Sequence, residues 1–101
     1  MIVIRFMVRS RPGRAEEVMA ALKDVVPPSR ALDGVISFDI GRDVTDPDLF
    51  IATEVFEDRA ALDRQESLPE VARALGVFEQ CLAAEPEATI FHVSSSEPWG
   101  D

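Results

Sequence analysis

A chain of 101 residues with 47% hydrophobic content has room for one core and no more. Its net charge of −9 leaves no basic footprint for nucleic acid or an anionic membrane surface. No apolar run approaches the roughly 20 residues that span a bilayer, and the single cysteine, Cys81, excludes an internal disulfide.

The opening MIVIRFMV has neither a basic leader nor a cleavage site, so it reads as a first strand and not as a signal peptide. With the lone thiol, this points to a reducing, cytoplasmic setting. Residues 2–9 put Ile2, Ile4, Phe6 and Val8 on one face and Val3, Arg5, Met7 and Arg9 on the other. Two largely apolar faces predict a strand buried on both sides. Pro12 and Gly13 break it. Glu16 and Glu17 then sit where the first turn of a helix favours negative charge. Val18, Ala21, Leu22 and Val25 follow with the i, i+3, i+4, i+7 spacing of an amphipathic stripe, and Pro27 and Pro28 are expected to end or kink the helix.

LDGV at 32–35 is a turn. Residues 35–41 form a second strand, with Ile36, Phe38 and Ile40 on one face and Val35, Ser37 and Asp39 on the other. TDPD at 45–48 turns the chain, and residues 49–56 return as a third strand. Asp58 N-caps a helix over 59–66. Ser67 and Glu70 make a capping-box pattern that restarts it, with Val71, Ala74, Leu75 and Phe78 as the buried stripe. Pro86 stops it, residues 87–93 form a fourth strand, and residues 94–101 are a polar tail.

The order β-α-β-β-α-β predicts an α+β, ferredoxin-like fold: one domain over 1–93, with an antiparallel sheet covered by helices on one face. The other face carries Val3, Met7, Ile51 or Phe50, and Phe91 or Ile90. An open apolar sheet face is a contact surface, so a homodimer with facing sheets is expected.

Reactive side chains are few. There is no Gly-rich phosphate loop and no nucleophile elbow. His92 is the only histidine; an imidazole suits acid–base work near neutrality, but alone it makes no metal site. Asp39 and Glu54 lie inside strands, as do Arg5, Ser37 and Thr53. Either carboxylate becomes a base where burial raises its pKa, or else pairs with Arg5 across the sheet or with a second subunit. Gln65, three residues after Leu62, either orients a substrate carbonyl or hydroxyl or lies on a solvated rim. Cys81, three residues after Phe78, is expected in the core, with Glu79 and Glu85 offering no electropositive setting for a reactive thiol.

The stretches RPGRAEEVMAAL, GVISFDIGRDVTDPDLFIATEVFEDRAAL and AEPEATIFHV resemble the antibiotic biosynthesis monooxygenase family of dimeric α/β barrels, over roughly residues 1–93. The strongest pieces are PG before the first helix, G-x-x-S-F-D in strand two, DPDLF in the hairpin and E-x-F-E-D-R-A-A-L entering the second helix. These are scaffold motifs, and they specify fold more closely than activity.

The resemblance implies oxidation of an aromatic phenol, anthrone or quinol by molecular oxygen, without metal, flavin or other cofactor. Such substrates reduce oxygen once deprotonated, so a dry pocket and a base suffice. It implies a site between sheet and helices near Phe6, Phe38, Phe56, Gln65 and Leu75, where Gln65 and the His92, Asp39 and Glu54 picked out above are the candidate catalytic groups. Many members carry His at the positions of Gln65 and Glu70, and Trp at that of Phe56. The Asn, Trp and His of the haem-degrading subgroup fall at Phe6, Gln65 and Leu75, so no haem is expected. An isomerase or lyase on the same barrel, and a non-catalytic dimer that binds an aromatic metabolite, are the alternatives.

Overall fold

The alternation read in the first strand is what the computed structural model of the chain displays; it describes residues 1–100. In β1 (Ile2–Arg9), Ile2, Ile4 and Val8 are buried, while Arg5 and Arg9 are exposed on the opposite face. The remaining elements are α1 (Ala15–Arg30), β2 (Val35–Arg42), β3 (Leu49–Phe56), α2 (Arg59–Glu66), α3 (Pro69–Cys81) and β4 (Glu87–His92). The strands form one sheet in the order β2-β3-β1-β4, antiparallel throughout. This is the ferredoxin-like α+β arrangement, with its second helix in two pieces, α2 and α3. No helix of the described residues is long and apolar enough to cross a membrane.

Register decides which side chains meet. Ile4 lies between Glu54 of β3 and Ile90 of β4, and Phe38 of β2 lies across from Glu54. These residues share the helix-covered face with Phe6, Phe50, Ala52 and Phe56. One residue over, Val3 lies between Val55 and Phe91, and Met7 lies opposite Ile51. That set forms the open face. Of the alternatives left by the sequence, Phe50 and Ile90 therefore belong to the covered face, and Ile51 and Phe91 to the open one.

The core sits between the covered face and α1, α2 and α3, built on Val18, Leu22, Val25, Leu62, Ala74 and Phe78. Two turns set its geometry. In the β2–β3 hairpin, the Asp43 carboxylate accepts from the backbone N–H and hydroxyl of Thr45 at 2.9 and 2.7 Å, and Asp46 accepts from Asp48 N–H at 3.0 Å. Arg9 of β1 ion-pairs with Asp46 and ties the turn to the sheet. Gly34 precedes β2 with φ +85°, and a Cβ there would stand 2.7 Å from that of Ala61. Only glycine allows α2 to lie so close to this turn.

Four local expectations are corrected. Pro27 and Pro28 do not end α1, which runs on to Arg30. The carbonyls that the prolines leave without partners belong to Lys23 and Asp24, both exposed to water, and the last turn closes with Ala31 N–H on Pro27 O. The capping box does not form: Ser67 Oγ donates to Asp63 O at 2.7 Å, ending α2, while α3 starts after Leu68 with Pro69 in its first turn and no side-chain cap. Asp58, by contrast, caps α2 by accepting from Ala61 N–H at 2.9 Å. In β2 the ladder shifts between Val35 and Ser37, so Ile36 leaves the face of Phe38 and is 53% exposed. Cys81 is buried as expected, yet its sulfur lies 3.5 Å from Arg14 Nη2 and 3.5 Å from Glu17 Oε2, so it faces an ion pair at the start of α1 that Glu79 and Glu85 gave no sign of.

Candidate active site

Between the covered sheet face and the helices lies a cavity of about 360 Å³, a volume in the range of small-molecule sites. Its walls come from every layer: Ile4 and Phe6 of β1, Phe38 and Ile40 of β2, Leu22 and Val25 of α1, and Ala74 and Phe78 of α3. The Phe6 and Phe78 rings stack at 6.3 Å between centroids, 29° apart, and give the cavity a flat apolar wall. Leu75, 52% exposed, stands at the rim with Ala88 and Ile90 of β4. All of β4 is exposed, so the cavity opens on that side.

Among the described residues, three polar side chains line it: Glu54, Gln65 and Glu66. Glu54 is 8% exposed, and no hydrogen bond to its carboxyl is formed among the described residues. Burial, joined by the charge of Glu66 at the end of α2, pushes its pKa up from 4.5 to about 7. A carboxyl poised near neutrality inside an apolar cavity can take a proton from a bound molecule and return it.

Gln65 is held from the other side. Its Nε2 donates to Ser29 Oγ at 3.1 Å, and Ser29 Oγ donates to Val25 O at 2.7 Å. Ser29 is fully buried and Gln65 is 5% exposed. The chain carbonyl, hydroxyl and amide therefore fix the Gln65 side chain at the wall of the cavity.

The structure divides the residues singled out in the sequence. Glu54, Gln65, Phe6, Phe38 and Leu75 come together around the cavity. Phe56 does not: it is fully buried at the end of β3 beside Ile2 and Val35, and packs the core. His92 pairs with Ile2 at the end of β4 and is exposed, away from the cavity walls. Asp39 is on the open face, because strand alternation sets it one residue from Phe38. There it accepts from Arg30 Nη2 at 2.9 Å. The expected pairing of Arg5 with Asp39 or Glu54 does not occur; Glu54 is on the opposite face, and Arg5 donates to Met7 Sδ at 3.0 Å. Among the described residues, no group of three His, Cys, Asp or Glu side chains is gathered as metal ligands would be.

Sequence reasoning missed Ser29 and Glu66. Ser29 lies four residues after Val25 and extends the Val18–Leu22–Val25 stripe of α1 by one turn. The signal is present in the spacing, but the expected break at Pro27 and Pro28 hides it.

Comparison with known proteins agrees with this architecture. Residues 1–76 match the family model for antibiotic biosynthesis monooxygenases. A protein of Synechocystis is 28% identical over 96 residues, covering 95% of this chain; the chain spans 65% of the length of that relative. Among solved structures, PA3566 of Pseudomonas aeruginosa superposes with a TM-score of 0.85 at 26% identity, over 93% of this chain and 94% of that one. Rv0793 of Mycobacterium tuberculosis shares the fold at a TM-score of 0.88 and 20% identity, over 96% and 98% of the two chains. With three-quarters of its length matched by the family model, the chain belongs to the antibiotic biosynthesis monooxygenase family.

Proposed function

We propose that the protein is a monooxygenase that oxidises an electron-rich phenol, anthrone or quinol with molecular oxygen, and that Glu54 is its base. The observation that carries this is a buried, unpartnered carboxyl in the cavity, its pKa raised to about 7. The ionised fraction at neutral pH is large enough to abstract a proton and basic enough to do so efficiently. Deprotonation raises the electron density of the ring system, which then donates electrons to oxygen. Oxygen adds at the activated carbon as a peroxide, and loss of water leaves a carbonyl. For a methylene carbon the balance is R2CH2 + O2 → R2CO + H2O, with the substrate as sole reductant. The proton taken by Glu54 leaves in the water. Gln65 orients the substrate hydroxyl, while Phe6, Phe38 and Phe78 exclude water from the reacting centre.

Members of this family are typically small-molecule-binding dimers. Two copies of this chain pairing through the open sheet face would cover Val3, Ile51, Val55 and Phe91, and light scattering at micromolar concentration would then read twice the chain mass. A monomer would end the dimer reading. The activity is tested with an oxygen electrode, chelator-treated protein and a panel of hydroquinones and anthrones. Oxygen uptake above the uncatalysed rate, lost in Glu54→Gln, is the expected result. No uptake with any of them leaves a binding protein or an isomerase in its place.

A further inference from the structure

The charges around the cavity are all of one sign. Glu54 stands inside it and Glu66 at its edge, and among the described residues no Lys, Arg or His contributes to its walls. The protein has ten Lys and Arg side chains, and two carried by the helices that wall the cavity are engaged elsewhere. Arg30 holds Phe38 O and Asp39, and Arg64 donates to Asp33 O at 2.8 Å. A ligand carrying its own negative charge would be desolvated beside a carboxylate with no cation to offset it.

The amide of Gln65 adds a second discrimination. Ser29 Oγ lies nearer Val25 O, at 2.7 Å, than Gln65, at 3.1 Å, so its proton is committed to the carbonyl. Ser29 can then only accept from Gln65, which fixes the amide with its nitrogen toward Ser29. Gln65 Oε1 has no partner among the described residues. It remains an acceptor in an otherwise apolar wall, and an ionised Glu54 is another. A ligand hydroxyl satisfies such an acceptor, and an ether oxygen in its place leaves it unpaired.

We propose that the cavity selects uncharged hydroxyarenes and rejects their carboxylated counterparts, with Glu54 as the residue that excludes anions and Gln65 as the residue that reads the hydroxyl. This rests on the same cavity being the substrate site, but not on any reaction occurring there.

The test is equilibrium binding of naphthol, naphthoate and methoxynaphthalene, none of which need turn over, followed by ligand fluorescence at about pH 8, where Glu54 is charged. Naphthol should bind the wild-type protein at least about tenfold more tightly than either analogue. Glu54→Gln should narrow the naphthol-to-naphthoate gap by about tenfold and leave the methoxynaphthalene gap in place. Gln65→Met should do the reverse. Glu66→Gln, at an exposed position, narrows the naphthoate gap less and serves if Glu54→Gln does not fold. Naphthoate binding as tightly as naphthol, a gap indifferent to both glutamate substitutions, or no naphthol binding at millimolar concentration would each overturn the proposal. Selective binding without oxygen uptake keeps this inference and removes the oxygenase. Oxygen uptake without charge selectivity does the opposite.

Discussion

Asp39 and Glu54 stand on neighbouring strands, one residue apart in the β2–β3 ladder, and the two faces of the sheet treat them in opposite ways. On the open face the Asp39 side chain is 68% exposed and meets Arg30 at 2.9 Å. On the covered face Glu54 is 8% exposed, has no cation beside it, and has its pKa raised to about 7. The same functional group is thus a surface carboxylate paired with an arginine in one place and a buried, unpartnered carboxyl in the other. What separates them is strand parity and the layer of helices, not the group itself. A buried carboxyl without a partner destabilises the fold, and such strain persists where a site uses it.

The comparison breaks most visibly in catalysis. Glu54→Gln should lower kcat/KM by about 10²–10⁴-fold, the usual contribution of a general base, with the circular dichroism spectrum unchanged. An activity within threefold of wild type would mean that the cavity carboxyl is not the base. The equivalent change on the other face, Asp39→Asn, should leave the rate alone.

Stability should move the other way. Because the folded-state pKa of Glu54 is raised, the folded protein holds this proton more tightly than the unfolded chain does. The group is neutral in both states below the unfolded value of 4.5 and adds no penalty there. Between 4.5 and about 7 the unfolded chain releases the proton first, and stability falls with rising pH. Above about 7 both forms are ionised and the penalty is constant, up to about 3 kcal/mol. Glu54→Gln escapes it. Denaturant titrations of the two proteins at several pH values should show the variant gaining on wild type through this window. Parallel curves would show that Glu54 titrates as it does in the unfolded chain. Glu66→Gln, which removes the neighbouring charge, should shift the window slightly downward.

How far this site could be seen in the sequence follows the same division. The two faces were separable in β1, where Ile2, Ile4, Phe6 and Val8 fall opposite Arg5 and Arg9, but in β3 Phe50 and Ile51 remained alternatives, because both sides of that strand are apolar. In β2 the shift at Val35/Ser37 broke the period, and Ile36 was placed on the wrong face for that reason. Glu54 could be nominated as an intrastrand carboxylate, but so could Asp39. Alternation distinguishes their faces only once β2 and β3 are in register, and neither residue type reveals which face the helices cover. Phe56 and Phe6 looked alike as aromatic strand residues; the difference is distance along the sheet, since Phe56 lies at the packed end and Phe6 faces the gap beside β4. His92 drew notice for its chemistry alone, and its edge strand keeps it in water.

Gln65 sharpens the comparison from inside the cavity. Gln65→Ala removes one buried hydrogen bond to Ser29 and the one proposed to substrate, and should reduce transition-state stabilisation by about 1–3 kcal/mol, read as kcat/KM. Ser29→Ala leaves Gln65 in place but frees its amide to rotate. It should raise KM more than it lowers kcat, because what is lost is orientation. Equal losses in both variants would make Gln65 a packing residue.

The smallest effect belongs to the open face. Asp39→Asn removes a charge that pairs with Arg30, but the guanidinium stays anchored, because Arg30 Nε donates to Phe38 O at 2.8 Å regardless of Asp39. The pair is more than half exposed on both sides, so water and salt screen it. The change should alter stability by no more than about 0.5 kcal/mol, and that difference should vanish in high salt. Arg30→Ala should be worse than Asp39→Asn, since it also strips the acceptor Phe38 O of its donor and uncovers the end of α1. A large loss from Asp39→Asn at high protein concentration, absent on dilution, would show that this face is buried against a second copy. Asp39 would then be desolvated against a second copy, and the contrast with Glu54 would describe only the single chain.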